Sequence, residues 1–259
     1  MRIALGVEYD GTDFSGWQAQ AGTRTVQEVL EGALSRVADR PVRVVCAGRT
    51  DAGVHATGQV VHFDTEVVRP ERAWVLGTNV HLPPEVSVCW ARAVDPRFHA
   101  RFSAVSRRYR YVILNRVTRP ALLRGRVWWV YRPLHADRAR EAAVHLAGEH
   151  DFTSYRALAC QARHPVRTVH RLEVQRAGEL LYIDVLANAF LHHMVRNLAG
   201  VLVAIARGEH PPHWAREVLE ARDRTLGGIT APSAGLYLVQ VNYPASFGLG
   251  RPVRLPMFG

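Results

Sequence analysis

Patterns typical of short β-strands alternate with patterns typical of helices along this chain, and this alternation limits its fold more than any other feature. It occurs once in the first hundred residues and again, with hairpins mixed in, over the rest. Strands are predicted at residues 3–9, 42–46, 59–64, 86–94, 107–114, 127–131, 169–176, 180–187 and 236–241. Helices are predicted at residues 26–37, 69–80, 137–146, 190–206 and 213–222, the first with Thr25 and Glu28 as a capping box.

Strand–helix alternation with hairpins is typical of an α+β protein. We expect two similar sheet-and-helix halves, each ferredoxin- or RRM-like. Together they are expected to form a mixed, largely antiparallel central sheet with an active-site cleft between them. Residues 1–103 are predicted to form an N-terminal α+β domain and residues 104–245 a C-terminal one. Residues 246–259 are predicted to be an irregular tail, because the chain is rich in Pro and Gly from Pro244 onward.

The nine residues AGRTDAGVH, from Ala47 to His55, form a short glycine-bearing loop between two predicted strands. Such a loop holds a side chain at a fixed place on a rigid scaffold, as a reactive group requires. Asp51 lies two residues after Arg49, which favours its ionised form, so it can serve as a nucleophile or a base. Locally, a turn aspartate that bonds its own backbone explains the residue equally well.

The basic residues are all arginine, since the sequence contains no lysine, and the formal net charge is +10. This excludes a Schiff-base lysine and a P-loop lysine. Ten arginines and no acidic residue lie between Pro96 and Ala136, and residues 152–172 form a second acid-free stretch with four. Uncompensated arginine at this density favours phosphate oxygens of a nucleic acid over an ordinary solvated surface, which mixes both signs.

The strand predicted at 107–114 places Arg107, Tyr109 and Tyr111 on one face, and Arg108 and Arg110 on the other. A tyrosine between arginines can stack on an unpaired base while the cations hold its phosphates, and it can equally be a core residue.

On the long helix, Arg196 lies off the apolar stripe, one turn after His192. A helix arginine in that place can also simply face solvent. We expect His192 and its neighbour His193 to pack, or to bond to backbone or RNA.

Composition excludes several other classes of protein. Three widely spaced cysteines without a CxxC pair indicate a reducing cytoplasm and argue against disulfides or structural zinc. The chain shows no signal-peptide pattern and no apolar stretch long enough to cross a bilayer, so we expect a cytoplasmic protein without membrane contact. The histidines form no HExxH pattern, and we expect neither a metal nor a cofactor.

Several segments together resemble the tRNA pseudouridine synthase A family. They are GVEYDGTDFSGWQAQ, TVQEVLEGAL, CAGRTDAGVHATGQVVHF, RFHARFSAVSRRYRY, GEHDFTSYRA and ANAFLHHMVRNLAG, in that order. The resemblance runs from about residue 3 to residue 243 and leaves the C-terminal tail outside. Several independent motifs in the family's order make a chance likeness very improbable.

The resemblance implies a cofactor-independent isomerase that converts uridine to pseudouridine at positions 38, 39 and 40 of the tRNA anticodon stem-loop. It implies that Asp51 is the nucleophile, that Tyr109 stacks on the flipped-out uracil, and that Arg196 pairs with the catalytic carboxylate. Arg49 would fill the space that the base leaves or bind its phosphate. Arg107, Arg108 and His192 are expected to contact the RNA, and the family's members act as homodimers.

Two other classes of protein stay open. A non-catalytic, arginine-rich RNA-binding protein would use the same basic strands and tyrosines, but gains nothing from a carboxylate that repels phosphates. A metal-dependent nuclease or phosphoesterase would need several clustered carboxylates or histidines, whereas the loop offers only Asp51.

Overall fold

The computed structural model of this chain describes residues 1–250, 252–256 and 258. These residues form two compact units. Unit 1 comprises Met1–Val105 and Tyr237–Pro256, and unit 2 comprises Ser106–Leu236 with Phe258. The chain therefore leaves unit 1 before residue 106 and returns to it near its C-terminus.

The strands are β1 (Arg2–Tyr9), β2 (Val45–Cys46), β3 (His55–Asp64), β4 (Val86–Val94), β5 (Ser106–Asn115), β6 (Trp128–Val130), β7 (Gly148–Asp151), β8 (Val166–Ala177), β9 (Leu180–Ala187) and β10 (Leu236–Asn242). The helices are α1 (Val26–Ala38), α2 (Glu71–His81), α3 (Ala136–Val144), α4 (Met194–Ala206) and α5 (Trp214–Ala221). No helix in the described part of the chain is long and apolar enough to span a membrane.

Unit 1 contains a sheet in the order β4–β1–β3–β10, with β2 also paired to β3. The β1–β3 and β1–β4 pairs are antiparallel, and β10 runs parallel to β3 with Tyr237 opposite His55. Helices α1 and α2 pack together, and Trp74 of α2 makes an edge contact with Phe63 at 5.1 Å between ring centroids. The predicted role of Thr25 as the N-cap of α1 is confirmed, since Thr25 Oγ1 accepts the Glu28 amide at 3.4 Å.

Unit 2 contains a sheet in the order β5–β9–β8–β7, antiparallel throughout, with β6 parallel to β5. The hairpin predicted around Gly178 is confirmed, with Ala177 opposite Leu180. Helix α4 is almost entirely buried, because its apolar residues surround most of the helix. The α+β class and the largely antiparallel pairing are therefore confirmed in each unit.

Several predicted boundaries are wrong. Strand β3 begins at His55 instead of residue 59, and β8 begins at Val166 instead of residue 169. Two other boundaries differ for a reason that the structure shows. The strand predicted at 42–46 is limited to Val45–Cys46, because side chains of α1 take the preceding amides: Ser35 Oγ accepts from Val42, and Glu31 Oε1 accepts from Val44, each at 2.9 Å. The helix predicted from residue 190 begins at Met194, because His193 has a left-handed φ of 61°.

Two further differences concern regular structure that the sequence pattern did not show. Strand β7 was not predicted, because its residues Gly-Glu-His-Asp lack apolar alternation. In the predicted irregular tail, residues 245–247 form one 3₁₀ turn, and Arg251, Met257 and Gly259 lie outside the described residues.

Candidate active site

The loop that carries Asp51 closes a hairpin between β2 and β3 in unit 1. Cys46 pairs with Val61, and the Ala47 amide donates to the Val60 carbonyl at 2.8 Å. At the tip, the Val54 amide donates to the Asp51 carbonyl at 3.1 Å, and Gly53 has a φ of 74°. This is a tight turn whose third residue needs the left-handed conformation that glycine adopts without strain. Asp51 is therefore the first residue of a closed turn.

Buried side chains hold the loop from within the unit. The Gln59 amide group donates to the Gly48 carbonyl at 2.7 Å, and its oxygen accepts the Gly48 amide at 3.4 Å. The Tyr9 hydroxyl shares a hydrogen bond of 2.8 Å with Thr50 Oγ1. These contacts fix the Gly48 backbone and the Thr50 side chain, both on the N-terminal side of Asp51. The roles of Gln59 and Tyr9 were not predicted, because their partners are 11 and 41 residues away along the chain.

The segment before α1 packs against the same loop from another side. The Trp17 amide donates to the Thr50 carbonyl at 3.0 Å, and the Gly53 amide donates to the Phe14 carbonyl at 3.3 Å. Gly16, with φ of 90°, lies so close that a Cβ atom would be 2.8 Å from the Thr50 carbonyl oxygen. The backbone on both sides of Asp51 is thus fixed, while its side chain stays half-buried.

The last residue of the AGRTDAGVH segment, which is also the first residue of β3, is immobilised as well. His55 is 2% exposed, its Nδ1 lies 3.0 Å from the Gly11 amide nitrogen, and its ring stacks on Tyr237 at 4.6 Å. A Cβ on Gly11 would be 2.0 Å from the Val54 carbonyl oxygen, so only glycine fits there. The histidine is therefore a packing residue that fixes the start of β3.

Arg49 is exposed, two residues before Asp51. Burial raises the pKa of the nearby Cys46 thiol to about 11, although the charges of Arg49 and Arg101 act in the opposite direction. Cys46 is therefore a neutral thiol at physiological pH and cannot act as the nucleophile there. Among the groups of this loop, the carboxylate is the one suited to covalent or base chemistry.

In unit 2, Tyr109 lies on β5 opposite Val185 of β9. It is 8% exposed and meets Phe190 edge to face, with ring centroids 5.0 Å apart. The role of Phe190 was not predicted, and the signal available in the sequence was an aromatic residue four positions before the start of α4. The structure therefore gives Tyr109 an aromatic neighbour that restricts the position of its ring.

Arg108 and Arg110 point to one carboxylate, that of Asp184 on β9. Arg108 Nη2 lies 3.1 Å from Asp184 Oδ1, and Arg110 Nη2 lies 2.7 Å from Oδ2. This contact is consistent with the prediction that the two arginines lie on the same face of the strand. Asp184 offsets part of their positive charge. Arg107 donates to the Asn188 carbonyl at 3.2 Å and is half-buried.

Arg196 lies in the first turn of α4, where its Nε donates to the Ala231 carbonyl at 2.7 Å. It is close enough to Tyr111 for its charge to act on the phenol, whose pKa burial raises well above the ordinary value. His192 is exposed just before the helix, and its carbonyl accepts the Ala157 amide at 2.9 Å. Arg196 and Tyr111 therefore lie near each other in unit 2.

Comparison with known proteins identifies the class to which these elements belong. The sequence model that describes the tRNA pseudouridine synthase family matches residues 6–103 and 142–244 of this chain. These residues include the Asp51 loop and the start of α4. This chain belongs to the tRNA pseudouridine synthase family.

Individual relatives cover almost the whole chain. A tRNA pseudouridine synthase A of Nitrosococcus oceani is 62% identical over 97% of both chains. The corresponding protein of Pseudomonas aeruginosa is 60% identical over 96% of this chain and 87% of its own. One from Legionella pneumophila is 56% identical over 100% of this chain and 98% of its own.

Proposed function

We propose that this protein isomerises uridine to pseudouridine in tRNA, at positions 38, 39 and 40 of the anticodon stem-loop. The observation that carries the proposal is the immobilised turn at Asp51 within a segment that matches the family. In this reaction the bond from C1′ of ribose to N1 of uracil breaks, and a bond from C1′ to C5 forms. The C5 proton leaves and N1 gains one, so no electrons are transferred and no cofactor takes part.

Asp51 is proposed as the catalytic nucleophile or base. The carboxylate would attack C1′ of the ribose, attack the uracil ring, or remove a sugar proton to form a glycal. In each route, a group whose backbone is already fixed reaches the substrate with little loss of conformational entropy.

Other residues of the site are proposed to bind the substrate. Tyr109 would stack on the extruded uracil, and Arg196 would pair with Asp51 and keep the carboxylate ionised. Arg49 would bind the phosphate of the flipped nucleotide or fill the space that it leaves. Arg107, Arg108 and His192 would contact the RNA, with Arg108 contributing less because Asp184 already neutralises part of its charge.

The working form is proposed to be a cytoplasmic homodimer. One subunit would hold the anticodon stem-loop, and the basic surface of its partner would bind the rest of the tRNA. Light scattering after gel filtration measures this directly, and twice the mass of one chain is expected.

Mapping of the modified nucleotides tests the activity. An unmodified tRNA transcript with uridines at 38, 39 and 40 is incubated with the protein in EDTA and treated with a carbodiimide that labels pseudouridine. Primer extension should stop at those positions, and replacing each uridine by cytidine should remove the corresponding stop. Binding of the transcript without pseudouridine at any position would instead support the non-catalytic RNA-binding alternative.

A further inference from the structure

Phe102 belongs to unit 1 and lies after β4, in the segment that leads to β5; its side chain is 76% exposed. A single exposed apolar residue needs no special explanation. Phe102 differs from an ordinary surface residue because the turn below it is rigidly built and one aromatic neighbour supports its ring.

His99 organises this turn. Its Nδ1 accepts the amides of Arg101 and Phe102 at 3.2 and 3.1 Å. The His99 amide donates to Ser103 Oγ at 3.0 Å, and the Ser103 amide donates back to the His99 carbonyl at 2.9 Å. Because Nδ1 acts as an acceptor, the ring proton is on Nε2 and the imidazole is neutral. Burial and the charge of Arg2 lower the pKa of His99, which favours the same state.

The imidazole of His99 supports the exposed ring. The two rings stack with centroids 4.4 Å apart and planes 27° apart. A neutral imidazole beneath a phenyl ring restricts the rotation of Phe102 without adding a charge. The ring is therefore held in the orientation that a stacking partner would meet, which reduces the entropy lost on binding.

The surroundings of Phe102 are positively charged. The guanidinium carbon of Arg101 lies 5.5 Å from the Phe102 ring centroid, and the Arg101 side chain is exposed. Arg101 and Arg49 both exert their charge on the Cys46 thiol, so both arginines are near the first residue before the Asp51 loop. An exposed ring beside cations suits an unpaired nucleotide, whose base stacks while its phosphate meets the guanidinium.

We propose that Phe102, supported by His99 and flanked by Arg101, is a stacking site for an unpaired base of the tRNA substrate. The inference rests on the proposed function, because it takes tRNA as the ligand. The stacked base would be a different nucleotide from the uridine that Asp51 converts. The site would contribute to substrate affinity and leave the chemical step unchanged.

Four substitutions of Phe102 separate base stacking from a simple apolar contact. Each is made together with Asp51→Asn, so that binding of an anticodon stem-loop RNA is measured without turnover. Phe102→Tyr and Phe102→Trp keep an aromatic face and should bind within about 2-fold of the parent protein. Phe102→Leu and Phe102→Ala should both raise the Kd by about 10-fold or more, as expected for loss of one base–aromatic stack. Val68→Ala, which truncates another exposed apolar side chain of unit 1, should have no effect.

The outcomes distinguish the possible occupants of this surface. If Phe102→Leu binds RNA as tightly as the parent, the stacking site is wrong. If the Phe102 variants change the oligomeric mass and RNA affinity together, the ring contacts a second copy of the chain and the proposal is also wrong. Pseudouridine formation by the protein with Asp51 intact is measured in parallel. Its absence would overturn the proposed function, whereas its presence with unaffected Phe102→Leu binding would overturn only this inference.

Discussion

At the scale of single residues, the position of Asp51 depends on residues that bear no reactive group. Gly16 lies against the Thr50 carbonyl, the Tyr9 hydroxyl bonds the Thr50 side chain, and Gln59 bonds the backbone of Gly48. The AGRTDAGVH segment could be recognised from the sequence, because its glycines and its carboxylate are adjacent. The supporting residues could not be recognised, because their roles arise from contacts between distant parts of the chain.

Two glycines with left-handed backbones test this support. Gly16 has φ of 90° and Gly22 has φ of 75°, so alanine strains the backbone at both positions, by about 1 kcal/mol or more. Only at Gly16 would the new Cβ meet the Thr50 carbonyl, whereas nothing lies within 4 Å at Gly22. Gly16→Ala should therefore lower kcat at least 10-fold, and Gly22→Ala should leave it nearly unchanged.

Urea unfolding and tRNA turnover measured on both variants check this prediction. The two glycines are a matched pair, because both substitutions destabilise the backbone in the same way. Equal losses of kcat in Gly16→Ala and Gly22→Ala would show that contact with the Asp51 loop has no special importance.

At the scale of secondary-structure elements, most strands and helices could be located from the local pattern of apolar residues. The predictions were wrong where tertiary contacts determine the backbone conformation instead. Residues 42–44 have the apolar alternation of a strand, but Ser35 and Glu31 of α1 bind the amides of Val42 and Val44. The apolar stripe of α4 continues to Leu191, but His193 turns the backbone into the left-handed region. Side-chain hydrogen bonds of this kind leave no periodic signal in the sequence.

Strand β3 contains a histidine whose protonation should destabilise the fold. His62 is 4% exposed, and its Nδ1 accepts the Ala100 amide at 3.1 Å. Burial, with a smaller effect of the Arg2 charge, lowers its pKa to about 4. The unfolded chain takes up this proton near pH 6.5 and the folded chain only near pH 4, so stability is complete above pH 6.5 and falls as the pH decreases.

The expected loss between pH 6.5 and pH 4 is about 2 to 3 kcal/mol. His99, whose pKa is also lowered, contributes with the same sign. Urea unfolding at a series of pH values measures the slope, and His62→Asn, which keeps an acceptor for the Ala100 amide, should flatten it. An unchanged slope in His62→Asn would show that His62 is not the titrating group.

At the scale of the whole molecule, the excess of arginine determines how tightly RNA is bound. The formal net charge is +10, and all of the basic residues are arginines. Some of these arginines are already paired with carboxylates, as at Asp184. The acid-free stretches are visible in the sequence, but the binding of Arg108 and Arg110 to a carboxylate 74 to 76 residues away is not. Nor does local periodicity show that the chain returns to unit 1 at Tyr237, because strand pairing over this distance has no local signal.

Binding of tRNA should therefore weaken steeply with salt. The slope of log K against log salt concentration is negative, and each phosphate contact makes it steeper by about 0.7 to 0.9. Arg101→Gln should therefore make the slope shallower by about one. Asp184→Asn leaves both Arg108 and Arg110 without their full partner and should not reduce the slope. Fluorescence anisotropy with labelled tRNA at several salt concentrations gives all three slopes. A wild-type affinity that does not depend on salt would contradict the electrostatic account.

The central claim is that the Asp51 carboxylate carries out the isomerisation, and release of tritium from tRNA labelled at uracil C5 measures it most directly. The wild-type protein should release tritium to water in EDTA. Asp51→Asn, which keeps the shape of the side chain and removes its charge, should release none while it still binds the tRNA. Tritium release by Asp51→Asn at the wild-type rate would contradict the account.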